Sequence, residues 1–420
     1  MPWAVFFADT ALKALIGDAL RHNNDLQAAV KNIDAAELTQ RQARLGNVPS
    51  VGLGASASDA RPSDNSFDHR GVVEAIQQTH LTDYTVAASL SWEADIWGKI
   101  RNQKAAALAA YLATDEARKA LQTRIINDLS KGYYNLLLLD AQLAIAQRNI
   151  ALADSTLTLV KLQYSSGNGT SLAVQQALAQ KLTAAALAPK IQQEAALQET
   201  AIGILCGRYS SAVGRDVPLN SVSLPDGLGV GIPTGLLSRR PEVRQAEFEL
   251  SKANAEVGYT RAAMYPSLTI SAEGGLDAFK ASNWFNIPAS LFGAVAGGVA
   301  QPLFDKKRLS TQWNIAKANR ERSVLAFRQS VLVAYGEVAD ALAELDKLKD
   351  EQGLVAGRTD ALVLATQNSR ALYTNGKATY LDVIVAENSL LASELELAAV
   401  KKSRLDASVD LYRSLGGGWQ

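Results

Sequence analysis

Thr379 and Asp382, three residues apart, are the pair in this sequence whose types and spacing suit joint work. A hydroxyl just before a helix and an acid in its first turn satisfy exposed backbone N–H groups and complement the positive end of the helix dipole. Asn375-Gly376, a little upstream, is the kind of pair that ends a helix with a left-handed residue. Leu372 to Glu387 therefore reads as the tip of a helical hairpin, and the chemistry on offer is charge at a turn. No nucleophile with an adjacent base and no carboxylate dyad stands out. The three histidines, His22, His69 and His80, share no ligand spacing with Cys206, the one cysteine. Cys206 closes the helix-like run Ala201 to Leu205 and reads as a small buried residue. The expectation is no enzyme, no metal and no cofactor.

The same tip occurs earlier, since Tyr164 to Val174 aligns without gaps onto Tyr373 to Val383. Gly167 is then the counterpart of Gly376, and Thr170, followed by Ser171, that of Thr379. Such self-similarity marks a duplicated architecture. Residues 1–206 read as a first repeat: helix, strand hairpin at about 49–94, long helix, tip 164–172, helix. Residues 207–240 are a Pro/Gly-rich connector, and 241–420 repeat the order with a hairpin at about 266–303 and a tip at 373–381.

Within these bounds Thr10 to Arg44 has helical periodicity and Asp59 to Asp83 reads as a long polar loop. Tyr84, Val86, Ala88, Leu90 and Trp92 alternate with small polar residues, a strand of the length that crosses a bilayer when tilted. A half-buried soluble strand explains that alternation equally well. Further strands are expected at Leu268 to Gly275 and about Ser290 to Leu303. Leu129, Leu136, Leu143, Ile150 and Leu157 recur every seven residues, with Gly132, Leu139, Ala146, Ala153 and Val160 as a second seam. Leu348, Val355 and Leu362, then Ile384, Leu391, Ala398, Leu405 and Tyr412, continue the heptads in the second repeat. An unbroken helix from Arg101 to Tyr164 is on the order of 100 Å long. Pro189 predicts a kink, and Gly227 to Gly231 neither follows a strand nor opens a helix as a phosphate loop does.

Formal net charge is zero, so there is no bulk electrostatic case for nucleic acid. Charge interrupts every long apolar stretch, and no transmembrane helix is expected. Met1-Pro2-Trp3 reads as a start placed inside a longer precursor. Four strands cannot close a barrel, and open strand edges are not tolerated in lipid. If the strands span a membrane, several chains must pool them, and three chains give twelve.

At this point the chain resembles the TolC-like outer-membrane efflux ducts, in particular the lipoprotein branch serving drug and metal efflux. The residues that carry the likeness include Asn24-Asp25-Leu26, Trp92 to Lys99, Arg239 to Arg244, Tyr265-Pro266-Ser267, Gln301 to Phe304, Tyr380 to Val383 and Leu415 to Trp419. The resemblance implies a mainly α fold in which long coiled-coil hairpins form an α-barrel tunnel joined to a transmembrane β-barrel, assembled as a homotrimer. It implies an outer-membrane exit duct of a tripartite efflux pump, passive toward small molecules, with outer-membrane lipid around the barrel. The tips, with Gly167, Thr170, Ser171, Gly376 and Thr379, would meet a periplasmic adaptor and face an inner-membrane transporter. Relatives of this branch carry a signal peptide and a lipidated cysteine upstream of the region matching Trp3. A duct for type I protein secretion and a soluble coiled-coil scaffold are the alternatives.

The resemblance also implies a periplasmic gate. Asp382 matches one position of an aspartate ring, Val385 stands where relatives often carry a second aspartate, and Ala173 stands where some carry an acid that ties Tyr373. The expected gate is one ring of Asp382 backed by Leu381 and Val385. Three carboxylates roughly 7 Å apart repel by about 2 to 3 kcal/mol per pair at an effective dielectric near 20. Closure then needs protonation or a bound cation. The competing reading of Asp382 is a helix N-terminal acid that satisfies backbone donors.

Overall fold

The computed structural model describes residues 2–63, 65, 80–222 and 239–419. Helices α1 (Trp3–Phe6), α2 (Thr10–His22) and α3 (Asn24–Arg44) lead into strands β1 (Ser50–Ala60) and β2 (Leu81–Ala94), then helices α4 (Lys99–Ser165) and α5 (Ser171–Leu205). The order recurs as α6 (Pro241–Ala262), β3 (Ser267–Ala278), β4 (Leu291–Ala300), α7 (Arg308–Thr374) and α8 (Tyr380–Ser414). Helices α4 and α7 are each 67 residues long, and α5 and α8 are each 35. The chain is mainly helical with one small antiparallel sheet, as the sequence pattern requires.

Several boundaries differ from expectation, each for a local reason. The helix expected over Thr10 to Arg44 breaks at Asn23, whose side chain accepts from the Leu26 N–H (2.9 Å) and donates to the Leu205 carbonyl (2.8 Å). That one side chain starts α3 and ties it to the end of α5. Strands β1 and β2 reach to Ala60 and back to Leu81, so both ends of the expected loop from Asp59 to Asp83 are paired strand. β3 runs on to Ala278, helped by Gly275: a Cβ there would sit 2.0 Å from the Val86 carbonyl oxygen of β2. β4 is shorter than expected, and Pro189 lies inside the single helix α5. Helix α4, against expectation, contains a window apolar enough to cross a membrane; its Leu129, Tyr133 and Leu136 belong to the packed core. His69 and the connector residues 223–238, with Gly227 to Gly231, lie outside the described residues.

The residues form two compact units, each drawing on both halves of the sequence. One comprises residues 1–32, 114–246 and 327–420. Its core gathers Phe6, Leu12 and Ile16 with Leu129, Tyr133 and Leu136 of α4, Ile202 of α5, and Leu405, Val409 and Tyr412 of α8. Phe6 stacks on Tyr412 at 4.1 Å, and Asp9 caps α2 while accepting the Tyr133 hydroxyl at 2.8 Å. Cys206 is buried and donates weakly to the Leu15 carbonyl, the inert role expected of it. The heptad seam is real: Leu129, Leu136, Leu139, Ala146, Ala153, Leu157 and Val160 are all buried. At Gly132, α4 and α5 come so close that a Cβ would lie 2.7 Å from Gln198 and 3.4 Å from Ile202.

A charged knot closes the same unit. Arg240 is 3 % exposed, donates to the Ala334 carbonyl at 3.2 Å and pairs with Glu337; Arg413 pairs with the other Glu337 oxygen at 2.8 Å. Burial pulls the Glu337 carboxyl up, but the Arg240 and Arg413 guanidiniums more than reverse it and hold it below the usual glutamate range. The Arg239-Arg240-Pro241-Glu242 motif therefore serves assembly of this unit, with Pro241 at the first turn of α6.

The second unit, residues 33–113 and 247–326, carries the sheet, with strand order β1-β2-β3-β4 and every pairing antiparallel. Trp92 donates to the Asn47 carbonyl (2.9 Å) and Trp97 to that of Pro266 (2.8 Å), while both Asp95 oxygens accept backbone N–H groups at the start of α4 (2.8 Å each).

Two stability predictions follow from this packing. Gly132→Leu should lower the melting point, because overpacking a close seam costs about 1–3 kcal/mol, whereas Gly132→Ala needs only a rotation of Gln198. Glu337→Gln leaves Arg240 buried and short of a counter-charge, a loss of about 3 kcal/mol at neutral pH. Since the folded Glu337 pKa is depressed, that stability is present above the ordinary glutamate pKa of about 4.3 and lost as pH falls through the folded value. Melting of wild type and variant should differ at pH 7 and converge in acid.

Candidate functional site

The sheet register sorts its residues by face. Paired residues in an antiparallel sheet share a face, and the pairings Leu53↔Ala88↔Gly274↔Gly293 and Val51↔Leu90↔Ala272↔Val295 run across all four strands. One face thus carries Val51, Leu53, Val86, Leu90, Trp92, Leu268, Ile270, Leu291, Val295 and Val299, and the one charged residue among its paired positions is Asp59, opposite Thr82 at the far end of β1. The other carries Ser50, Ser56, Ser58, Thr85, Ser89, Thr269, Ser271 and the acids Asp83, Glu93, Glu273 and Asp277. The apolar face is bare: Leu53 is 84 % exposed, Val295 80 % and Val51 73 %. A soluble half-buried strand hides such residues, so this sheet is built for lipid on one side and water on the other.

The two tips share one backbone design. After α4, Gly167 (φ +81°) and Asn168 donate to the carbonyls of Tyr164 and Gln163; after α7, Gly376 (φ +70°) and Lys377 donate to those of Tyr373 and Leu372. Only the second tip carries the carboxylate. Thr379 caps α8 in a full capping box: its N–H donates to Asp382 Oδ2 at 2.8 Å, its hydroxyl to the same oxygen at 2.6 Å, and the Asp382 N–H returns to the hydroxyl at 3.4 Å. Those bonds to Thr379 hold the exposed Asp382 carboxyl below the usual aspartate range. In the first tip, Thr170 accepts from the Ala173 N–H at 3.2 Å with no acid to answer it. The capping reading of Asp382 is thus the geometry found in the single chain, and it opposes the protonation route to gate closure.

Asp382, Leu381 and Val385 lie exposed on α8, Leu381 at 64 % and Val385 at 56 %. Tyr373 is placed differently. It is buried, donates to Gln163 of α4, and packs with Leu157, Val160, Ala177, Tyr380 and Val383 in a small core that ties the two tips together. The acid that Ala173 lacks is therefore replaced by a neutral acceptor on α4. Gly167, Ser171 and Gly376 are exposed at the turns.

A second group escaped sequence reasoning. Glu387 of α8 is 2 % exposed, accepts the Thr156 hydroxyl of α4 at 2.9 Å and faces Arg370 of α7 at 3.8 Å. Burial raises its pKa, and Thr156 and Arg370 only partly offset this. Tyr380 nearby is pushed up to about 12, by burial first and by Glu387 second. The available signal was an acid seven residues after Tyr380 and between Val383 and Leu390, all of them buried seam positions.

An exposed apolar sheet face with open edges, joined to paired helical hairpins, defines a membrane duct. The chain belongs to the outer membrane efflux protein family, whose model matches residues 15–208 and 232–417. It is 30 % identical to the cation efflux system protein CusC of Escherichia coli over 424 residues, covering 100 % of this chain and 88 % of CusC. The toluene efflux pump outer membrane protein TtgF of Pseudomonas putida is 30 % identical, with 99 % and 85 % covered. The probable outer membrane lipoprotein SilC of Salmonella typhimurium is 26 % identical, with 99 % and 88 % covered. A CusC crystal structure superposes with a TM-score of 0.91 at 28 % identity over 100 % of this chain and 95 % of that one. The family is one of transport channels, and the chain is an outer-membrane efflux channel.

Because Glu387 has a raised pKa in the folded chain, its contribution is favourable below the ordinary glutamate pKa and is lost as pH rises through the folded value. Glu387→Gln should therefore melt higher than wild type at neutral pH and equal to it in acid, opposite in sign to Glu337→Gln. Calorimetry of both variants across pH checks this.

Proposed function

We propose that three copies of this chain form the exit duct of a tripartite efflux pump. The β4 edge of each copy pairs with the β1 edge of the next, closing twelve strands in the outer membrane. The observation that carries the reading is the exposed apolar sheet face across four strands, charged only at Asp59 near one end, whose outer edges have no strand partner among the described residues. The serine- and threonine-rich face then lines water.

In this reading residues 1–206 and 241–420 are the two repeats, joined by 207–240, and their tips form the end that meets a periplasmic adaptor and an inner-membrane transporter. Gly167, Thr170, Ser171, Gly376 and Thr379 supply the turn surface for that contact. Asp382, Leu381 and Val385 form the gate, and Tyr373 braces it from behind. The duct moves cargo passively while the transporter supplies energy. By likeness to CusC and TtgF the cargo is a small molecule, a cation or an organic solvent, and by likeness to SilC the protein is lipid-anchored.

Three Asp382 carboxylates around one axis oppose closure by mutual repulsion. The Thr379 bonds keep them ionised at neutral pH, so a bound multivalent cation is the effective closing agent. Detergent-purified protein should have the mass of a trimer, and a monodisperse monomer with full strand content would end the channel reading. In single-channel recordings, trivalent cations added at the tip side should block wild type. Asp382→Asn should keep its assembly and lose most of that block; equal block in both would move the gate to Leu381 and Val385.

A further inference from the structure

The turn between β4 and α7 combines features that packing within the single chain does not use. Leu303 and Phe304 are 93 % and 91 % exposed, among the barest large apolar side chains in the described residues. Lys306 and Lys307 follow at φ +57° and +64°, the only non-glycine residues of the described chain at positive φ. L side chains rarely adopt this conformation, and such outliers concentrate where a backbone is held for a purpose. The first repeat meets the same junction with Gly98 at φ +73°, so the second repeat places two exposed lysines where one glycine serves. Arg308, also exposed, then opens α7.

These three cations have no acidic partner among the described residues, although acids stand close in sequence or space. Asp305 is occupied by the Leu309 N–H at 2.9 Å, Glu93 by Lys99 at 2.9 Å, and Asp95 by the Ile100 and Arg101 N–H groups at 2.8 Å each. Beside Arg308 lies a cavity of about 280 Å³ lined also by Trp97, Tyr265, Lys99 and Gln312 and by the engaged acids Glu93 and Asp95. Trp97 and Tyr265 stack there at 4.8 Å.

Position gives the cluster its partner. β4 ends at Ala300, and the bare apolar face of the sheet reaches Val299 beside it. The turn therefore sits where lipid contact stops. Asp59, Asp83 and Asp277 lie within the last pairings at the opposite end, whereas at this end the acids Glu93, Asp95 and Asp305 are engaged and the cations of the turn are left over. Paired aromatic side chains, a protruding Leu-Phe pair and adjacent cations are the composition that suits a headgroup boundary.

We propose that Leu303 to Arg308 is a binding site for an anionic phospholipid of the leaflet at this end of the sheet. Leu303 and Phe304 enter the acyl boundary, and Lys306, Lys307 and Arg308 hold the phosphate diester beside the Trp97–Tyr265 pair. The inference rests on the outer-membrane channel reading and adds to it a lipid that the channel selects.

The test uses purified trimers with phosphatidylglycerol or phosphatidylcholine in detergent micelles, lipid retention being read by native mass spectrometry and channel activity in bilayers. Wild type should retain phosphatidylglycerol over phosphatidylcholine. K306Q/K307Q/R308Q should bind it roughly a hundredfold more weakly, from about fivefold per cation near an anionic surface. K306R/K307R should keep the preference, and K306G/K307G, which relaxes the backbone, should lose most of it without unfolding. Soluble glycerol phosphate should not displace the lipid; full displacement would mean a free-phosphate site and overturn the proposal. Equal retention by wild type and the triple variant would also overturn it, as would collapse of the triple variant to monomers, which would assign the cations to contact between copies. A wild type that conducts but retains no lipid refutes this site alone, whereas one that neither trimerises nor conducts refutes the channel reading.

Discussion

Unpaired backbone along β1 and β4 is the constraint on which the rest of this structure depends. Each edge strand presents N–H and C=O groups with no strand partner among the described residues, and the apolar face beside them carries charge only at Asp59, near one end of β1. In water such a sheet would aggregate, and in lipid each unsatisfied group costs several kcal/mol. Only pairing with further copies meets both conditions. In the proposed trimer, pooling the strands around an axis would bring the helices that follow them, α4 and α7 of 67 residues each, into a ring as well. The long heptads are then a consequence of the short strands.

The helical unit answers a different demand, which is to hold long helices in one register without a broad globular core. Small residues at Gly132, Ala146 and Ala153 let α4 approach its neighbours closely, and the broader apolar packing gathers around Phe6, Tyr133 and Tyr412. Ion pairs then fix position where apolar area is scarce. Glu337 is held ionised between two arginines, while Glu387 sits in a dry seam with one hydroxyl and one distant arginine. The same residue type thus locks one place and loosens another, and the loosened place is next to the tip. In the proposed duct, a seam loosened there would let the tip move while the rest of the wall stays assembled.

Patterns with a short period were legible in the sequence, because one-sided apolar surroundings and local backbone geometry produce them without distant partners. The alternation of Tyr84 to Trp92, the sevenfold spacing from Leu129 and the glycine turns at Gly167 and Gly376 all reappear as elements. What was not legible depended on partners distant in sequence. Nothing local says that Asn23 will divide a helix in order to reach Leu205, or that Gln163 will stand in for an absent acid at Tyr373. The face-coherence of the sheet was also invisible strand by strand, since Leu268, Ile270 and Val295 acquire meaning only through their register with Leu90 and Trp92. Glu387 was readable in principle, as an acid on a seam, but heptads counted from Ile384 placed it off the interface.

The two tips share what a turn needs and differ in what the proposed gate would add. Both use glycine at positive φ, the same pair of backbone hydrogen bonds and a threonine cap. A turn therefore requires neither the carboxylate nor the buried tyrosine, which occur only in the second copy: Asp382 answers Ala173, and buried Tyr373 answers Tyr164, which is 51 % exposed. Leu172 and Leu381, at matching places, are each 64 % exposed. Apolar exposure is thus common to both tips while charge and bracing belong to one. In the proposed three-copy duct this asymmetry would give three charged tips and three uncharged ones, so that repulsion would act at one set of hairpins while the other set supplied a neutral rim against which they close.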